Sequence, residues 1–191
     1  DLTPFFFRWI SIEWVPSGPD IPRARALNLS VEGGKSEAMA SPMTSQVYRP
    51  DAFEKALQVL LGKKQKPALV YGDVRAIGLV TREDNSQKEF AKGVSLRPDF
   101  QRRALFQNLD VEPCNFWRRG IHEHHGPFDE RLGDESTFAY WLSLGLVEEF
   151  VHIPGEMGSV FNEGPLSSSS SCTRGQSLVE RNILRKAWPR H

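Results

Sequence analysis

At 191 residues, with 24 Lys plus Arg against 24 Asp plus Glu, the chain is long enough to bury one substantial core and carries no formal net charge. A balanced charge supplies no general basic field, which argues against nucleic acid or an anionic membrane surface as the partner. Two cysteines, Cys114 and Cys172, are too few for a disulfide framework or a zinc knuckle and fit free thiols in a reducing compartment.

The N-terminal "DLTPFFFRWISIEWV" is apolar and aromatic, but Arg8 and Glu13 interrupt it. It has neither the length of a bilayer span nor the basic start and small-residue cleavage site of a signal peptide. The expectation is a soluble, cytoplasmic protein with no transmembrane segment. Within it, "WISIEWV" (9–15) sets Ile10, Ile12 and Trp14 against Ser11 and Glu13, the period of a half-buried strand. After Pro22, "RARALNLSVEGG" predicts a short helix stopped at Gly33 and Gly34. In "RPDAFEKALQVLLG" the residues Phe53, Ala56, Leu57, Leu60 and Leu61 recur at helical spacing, with Gly62 at the exit.

Beyond the basic linker "KKQKP", "ALVYGDVRAIGLV" predicts two short strands hinged at Gly72 and Asp73, and residues 81–98 a loop or loose hairpin. "DFQRRALFQNL" reads as a short helix and "EPCNFWRR" as a strand entering a turn. "STFAYWLSLG" reads as an amphipathic helix burying Phe138, Trp141 and Leu142, and "VEEFVHIP" (147–154) as a strand ended by its proline. Five serines at 167–171 mark a loop, and Ser177 with Glu180 forms a capping box ahead of "LVERNILRKAW". Strands alternating with helices predict an α/β fold, a mixed sheet flanked by helices, in a single domain spanning 1–191.

The stretch "GIHEHHGPFDERLGDE" (120–135) concentrates three histidines and five carboxylates. A zinc-protease helix needs H-E-x-x-H, but after His122 and Glu123 the required position is Gly126. The histidines therefore read as the solvated side of a helix rather than as metal ligands. The acids that follow precede a helix, where the helix dipole alone explains them. Asp73, after Gly72 at a strand end, suits either a ligand cleft or a turn. His152 reads as a structural strand-end histidine.

The order "RARALNLSVEGGKSE", "YRPDAFEKAL", "ALVYGDV", "FWRRGIHEHHGPFDERLGDE" and "AYWLSLG" resembles family 2 glycosyltransferases, the inverting enzymes of the GT-A fold. The resemblance implies a GT-A-like, Rossmann-related sheet whose opening strands precede Asp1. It divides the chain into a partial nucleotide-binding half, 1–47, and an acceptor-side half, 48–191. It also implies transfer of a sugar from a nucleotide-sugar donor to a saccharide or related acceptor, as in polysaccharide biosynthesis.

By that resemblance Asp134 or Glu135 is the general base, and Arg25, Asn28 and Asp73 lie on the donor side. The family's D-x-D carboxylates, which hold Mg or Mn against the diphosphate, are replaced here by Met43, Thr44, Ser45 and Gln46, so no metal ligands are assigned. That replacement leaves open a degenerate relative that binds carbohydrate or protein without turnover.

Overall fold

The computed structural model describes residues 21–43, 45–62, 66–81, 87–103 and 111–163. The strand expected at 9–15, the serine loop, the C-terminal helix and most of the helix expected around 99–109 lie outside the described residues. Among those described, the order is α1 (Arg23–Gly33), β1 (Ala38–Ala40), β2 (Gln46–Tyr48), α2 (Ala52–Leu60), β3 (Leu69–Thr81), β4 (Gln87–Ser95) and β5 (Phe116–Arg118). There follow α3 (Ile121–His125), a 3-10 segment (Glu130–Glu135), α4 (Ser136–Gly145) and β6 (Phe150–Glu163). No helix among the described residues is long and apolar enough to cross a membrane.

The six strands form one mixed sheet in the order β1-β5-β3-β6-β2, with β4 also on β3. Among the described residues only β3 and β6 run parallel, and the other pairs are antiparallel. β3 holds the centre, with β6 along one edge and β5 followed by β4 along the other. Side-chain alternation along β3 then divides the core into two layers. Leu69 and Tyr71 face α1 and α4, packing with Leu27, Trp117, Phe128 and Trp141, whereas Val70 and Val74 face α2, packing with Ala56, Leu60 and Phe116.

Three expectations from periodicity are corrected here. β3 is one continuous strand rather than two, and the hinge at Gly72 and Asp73 is a shift in register against β6. Of the two readings of residues 81–98 the hairpin holds and the loop does not: residues 87–95 form a strand antiparallel to β3, with one register shift between Ala76 and Ile77. Pro154 does not end β6: Gly72 pairs with Ile153 and Asp73 with Glu156, so Pro154 and Gly155 bulge outward and the strand resumes. A bulge asks nothing of the missing proline N–H, and Gly155 takes its positive φ of 102° there.

α2 also divides its apolar stripe. Ala52, Ala56 and Leu60 are buried against the sheet, while Phe53, Leu57 and Leu61, one residue further round, stay 40–45% exposed. With Met39, Ala40 and Phe116 they line an apolar groove of about 420 Å³ beside edge strand β1.

β3 runs close against the bulge of β6 at Gly72. A Cβ on Gly72 would stand 2.3 Å from Met157 Cγ and 2.8 Å from the Ile153 carbonyl oxygen, and the latter is backbone that cannot swing aside. Gly72→Ala is therefore expected to destabilise the protein by about 2 kcal/mol or more, measured by denaturant unfolding. A loss under about 0.5 kcal/mol would show that the two strands separate more easily than their packing indicates.

Candidate functional site

The bulge in β6 builds the first polar cluster. It turns the Gly155 N–H toward Asp73 Oδ2 at 3.2 Å, while Asp73 Oδ1 accepts from Arg97 N at 2.9 Å and faces His152 Nε2 at 3.0 Å. Desolvation is the largest influence on this carboxyl and pushes its pKa up. The donors on Arg97, His152 and Gly155 together outweigh it and hold the group below its ordinary 3.8. The other ring nitrogen of His152 lies 3.4 Å from Asp99, a side chain open to solvent.

Arg97 carries this cluster to the helical face. Its guanidinium donates to the Pro113 carbonyl at 3.2 Å and to that of Glu112. The Glu112 carboxylate in turn accepts a two-pronged pair from Arg23 on α1 (3.0 and 3.1 Å) and the Trp141 indole N–H on α4 (3.0 Å). Cys114, in the same segment, has its thiol pushed up to about 11 by burial, so it is no ready nucleophile.

The second cluster lies where α1 meets the turn after α3. Asn28 is buried, and every polar atom of its amide is engaged. Nδ2 donates to the Phe128 carbonyl (3.0 Å) and to Glu130 Oε1 (2.9 Å), and Oδ1 accepts from Phe128 N (2.9 Å). Arg25, one helical turn back and exposed, reaches the same Glu130 oxygen at 3.4 Å. Asp129 caps the 3-10 segment and grips Arg131 at 2.7 and 2.8 Å. Asp134 is exposed and Glu135 half-buried at the end of that segment, and among the described residues neither carboxylate takes a hydrogen bond or ion pair.

The fold thus brings Arg25 and Asn28 onto the acid-bearing segment that holds Asp134 and Glu135, and places Asp73 in the separate cluster around the bulge. Glu130 was not singled out by sequence. It is the acid of the run that α1 holds in place, and no local pattern reports a contact spanning about a hundred residues.

The histidine reading needs correction as well. His122 turns inward onto Trp117, Phe128 and Tyr140, His125 pairs with Glu148 at 2.8 Å, and only His124 faces solvent unpartnered. A five-residue helix at a core boundary necessarily presents one of its sides inward. His152, expected at a strand end, sits within β6 and against Asp73.

Magnesium or manganese does not fit the described residues. Met43 presents a thioether to solvent, and Gln46 folds its amide oxygen back to within 3.4 Å of Met43 N. Among the described residues no three His, Cys, Asp or Glu side chains converge as a metal site requires. The apolar groove beside β1 is lined by none of the candidate residues.

No protein-family model matches the chain, and no curated protein matches it either.

Asp73 supplies a test of the first cluster. Asparagine keeps one acceptor and loses the other, leaving a buried donor facing donors, so Asp73→Asn is expected to cost about 1–3 kcal/mol at neutral pH. Because the folded carboxyl titrates below 3.8, its contribution is complete above that value and is lost as pH falls through the lower folded value. Denaturant unfolding as a function of pH should show a shallower acid limb in the variant. An unchanged limb would mean that the carboxylate is not tied down.

Proposed function

We propose that the chain is a GT-A-like inverting glycosyltransferase domain acting on a nucleotide-sugar donor and a saccharide or related acceptor. The observation that carries this reading is the corner where Arg25 and Asn28 meet Glu130 at the head of the acid run ending in Asp134 and Glu135. The resemblance places the donor-side helix and the acceptor-side acids in one site, and here they are adjoining.

Inverting transfer needs a carboxylate that removes the acceptor hydroxyl proton while the oxygen attacks the anomeric carbon opposite the departing diphosphate. Glu130 suits that role best. Asn28 and Arg25 fix one of its oxygens, the side chain is 39% exposed, and the second oxygen has no protein partner among the described residues. Asp134 and Glu135 are the alternatives on the same segment, open to solvent but unsupported by any hydrogen bond. The exposed Arg25 is the cation placed to meet phosphate charge.

A second reading, a carbohydrate-binding or protein-interaction module without turnover, draws on the Met43–Gln46 segment. It offers no carboxylate where the resemblance expects two.

Incubation with UDP- and GDP-sugars and a panel of saccharides, with manganese, with magnesium and with chelator, separates the two. Nucleotide release that survives chelation is expected, and Glu130→Gln should reduce kcat about a hundredfold or more. Asp134→Asn and Glu135→Gln should each stay within about tenfold of the parent. Loss of activity in either of those instead returns the base to that residue. No release under any condition rejects catalysis, and saccharide binding seen by calorimetry would then support the module.

A further inference from the structure

The half-buried His122 sits in a box of hydrogen-bonding groups that fixes its proton. Trp117 Nε1 lies 3.1 Å from His122 Nε2, and an indole N–H only donates, so Nε2 must offer its lone pair. On the other side, Nδ1 lies 3.2 Å from the Gly126 carbonyl, which only accepts, so Nδ1 must carry the hydrogen. The Tyr140 hydroxyl, 3.2 Å from the same carbonyl and 3.0 Å from Nδ1, donates to the carbonyl and turns its oxygen toward the ring. The Tyr140 ring stacks on the imidazole, 5.1 Å away and 14° from parallel, and Phe128 closes the box. Each contact accepts the neutral imidazole in one tautomer.

We propose that His122 is an acid-sensitive latch on the turn 126–130: a second proton on Nε2 opposes the Trp117 N–H, expels the ring and frees the turn that positions Glu130. The connection is short. Gly126, held through its carbonyl, opens that turn, and the Phe128 backbone on its far side clamps Asn28, which holds Glu130.

Among the described residues no compensating anion faces the ring. The charged groups acting on it are Arg119, on the turn before α3, and His125, on α3 itself, and both oppose a positive imidazole. The carboxylates nearby are engaged elsewhere, Glu123 toward Arg119 and Glu148 toward His125. β5 contributes Trp117, α4 contributes Tyr140 and the turn contributes Phe128, none of them anionic at neutral pH. Burial, the largest influence, lowers the pKa of His122 below its ordinary 6.5. Stability from this box is therefore complete above that value and is lost as pH falls through the lower folded value.

The latch would regulate the site named above, and its meaning for catalysis rests on that reading, but its test needs no turnover. In the full chain, hydrogen exchange at the Phe128 amide, held by Asn28 Oδ1, is compared at pH about 7.5 and about 5 after correction for intrinsic rates. Protection should fall on the order of tenfold or more, together with titration of the His122 ring and a shift of the Trp117 indole resonance. In His122→Gln the amide accepts from Trp117 and donates to Gly126 without titrating, so the fall should vanish. Unchanged protection in the parent, or the same fall in the variant, overturns the latch.

Should His122→Gln fail to fold, the parent's ring and indole titrations decide. A ring that protonates while the Trp117 resonance stays in place refutes it. Absence of glycosyl transfer would reject the functional reading and leave this result standing.

Discussion

The pairing of β3 with β6 is the constraint on which the other elements depend. β3 lies at the middle of the strand order, between β5 and β6, and its alternate side chains anchor a separate apolar layer on each face of the sheet. Parallel strands need a crossover, and β4, β5, α3 and α4 all lie within it. The pairing resumes because β6 absorbs its surplus residues at Pro154 and Gly155 and again at Met157, and because Gly72 leaves room for Met157. The same bulge aims an N–H at Asp73, so the geometry that lets the strands pass also creates a polar centre between them.

Buried charge is costly unless paired, and here the pairing runs from the sheet to α1 and α4. Asp73 receives Arg97, whose guanidinium holds the carbonyls of 112 and 113. Glu112 then binds Arg23 and Trp141. The sheet centre, the segment leading into β5, the first helix and α4 are thereby joined by charge-assisted hydrogen bonds as well as by apolar contact. Such a network fixes where α1 sits. The position of α1 in turn decides which residues its polar side meets.

What it meets is the turn after α3. Asn28 engages its whole amide there, and its contact with Glu130 ties one carboxylate of the acid run to α1. A carboxylate held by a buried amide, itself held by backbone, has little freedom left to lose on meeting a ligand, which is what preorganisation means in physical terms. The aromatic box around His122 supports the turn from its other side, so the candidate base depends on two packed supports drawn from distant parts of the chain.

The sequence by itself determined the elements that local patterns encode. The helices at 23–33, 52–60 and 136–145 follow from apolar spacing and from their glycine or proline boundaries, and the mixed α/β class follows from their alternation with strands. It also located the acid run at 129–135, since composition is visible without a fold. Tertiary structure decided the rest. Pro154 reads as a strand end because its missing N–H is a local fact, whereas the bulge that accommodates it is a property of β3. Phe53 and Leu57 share the helical spacing of Ala56 and Leu60, yet the sheet covers only one side of α2. His122 was indistinguishable from His124 until Trp117, Phe128 and Tyr140 closed around it. Glu130 became distinct from Asp134 and Glu135 only through Asn28, roughly a hundred residues away. Periodicity records a residue's neighbours along the chain; which carboxylate is held and which histidine is buried depend on neighbours that only folding supplies.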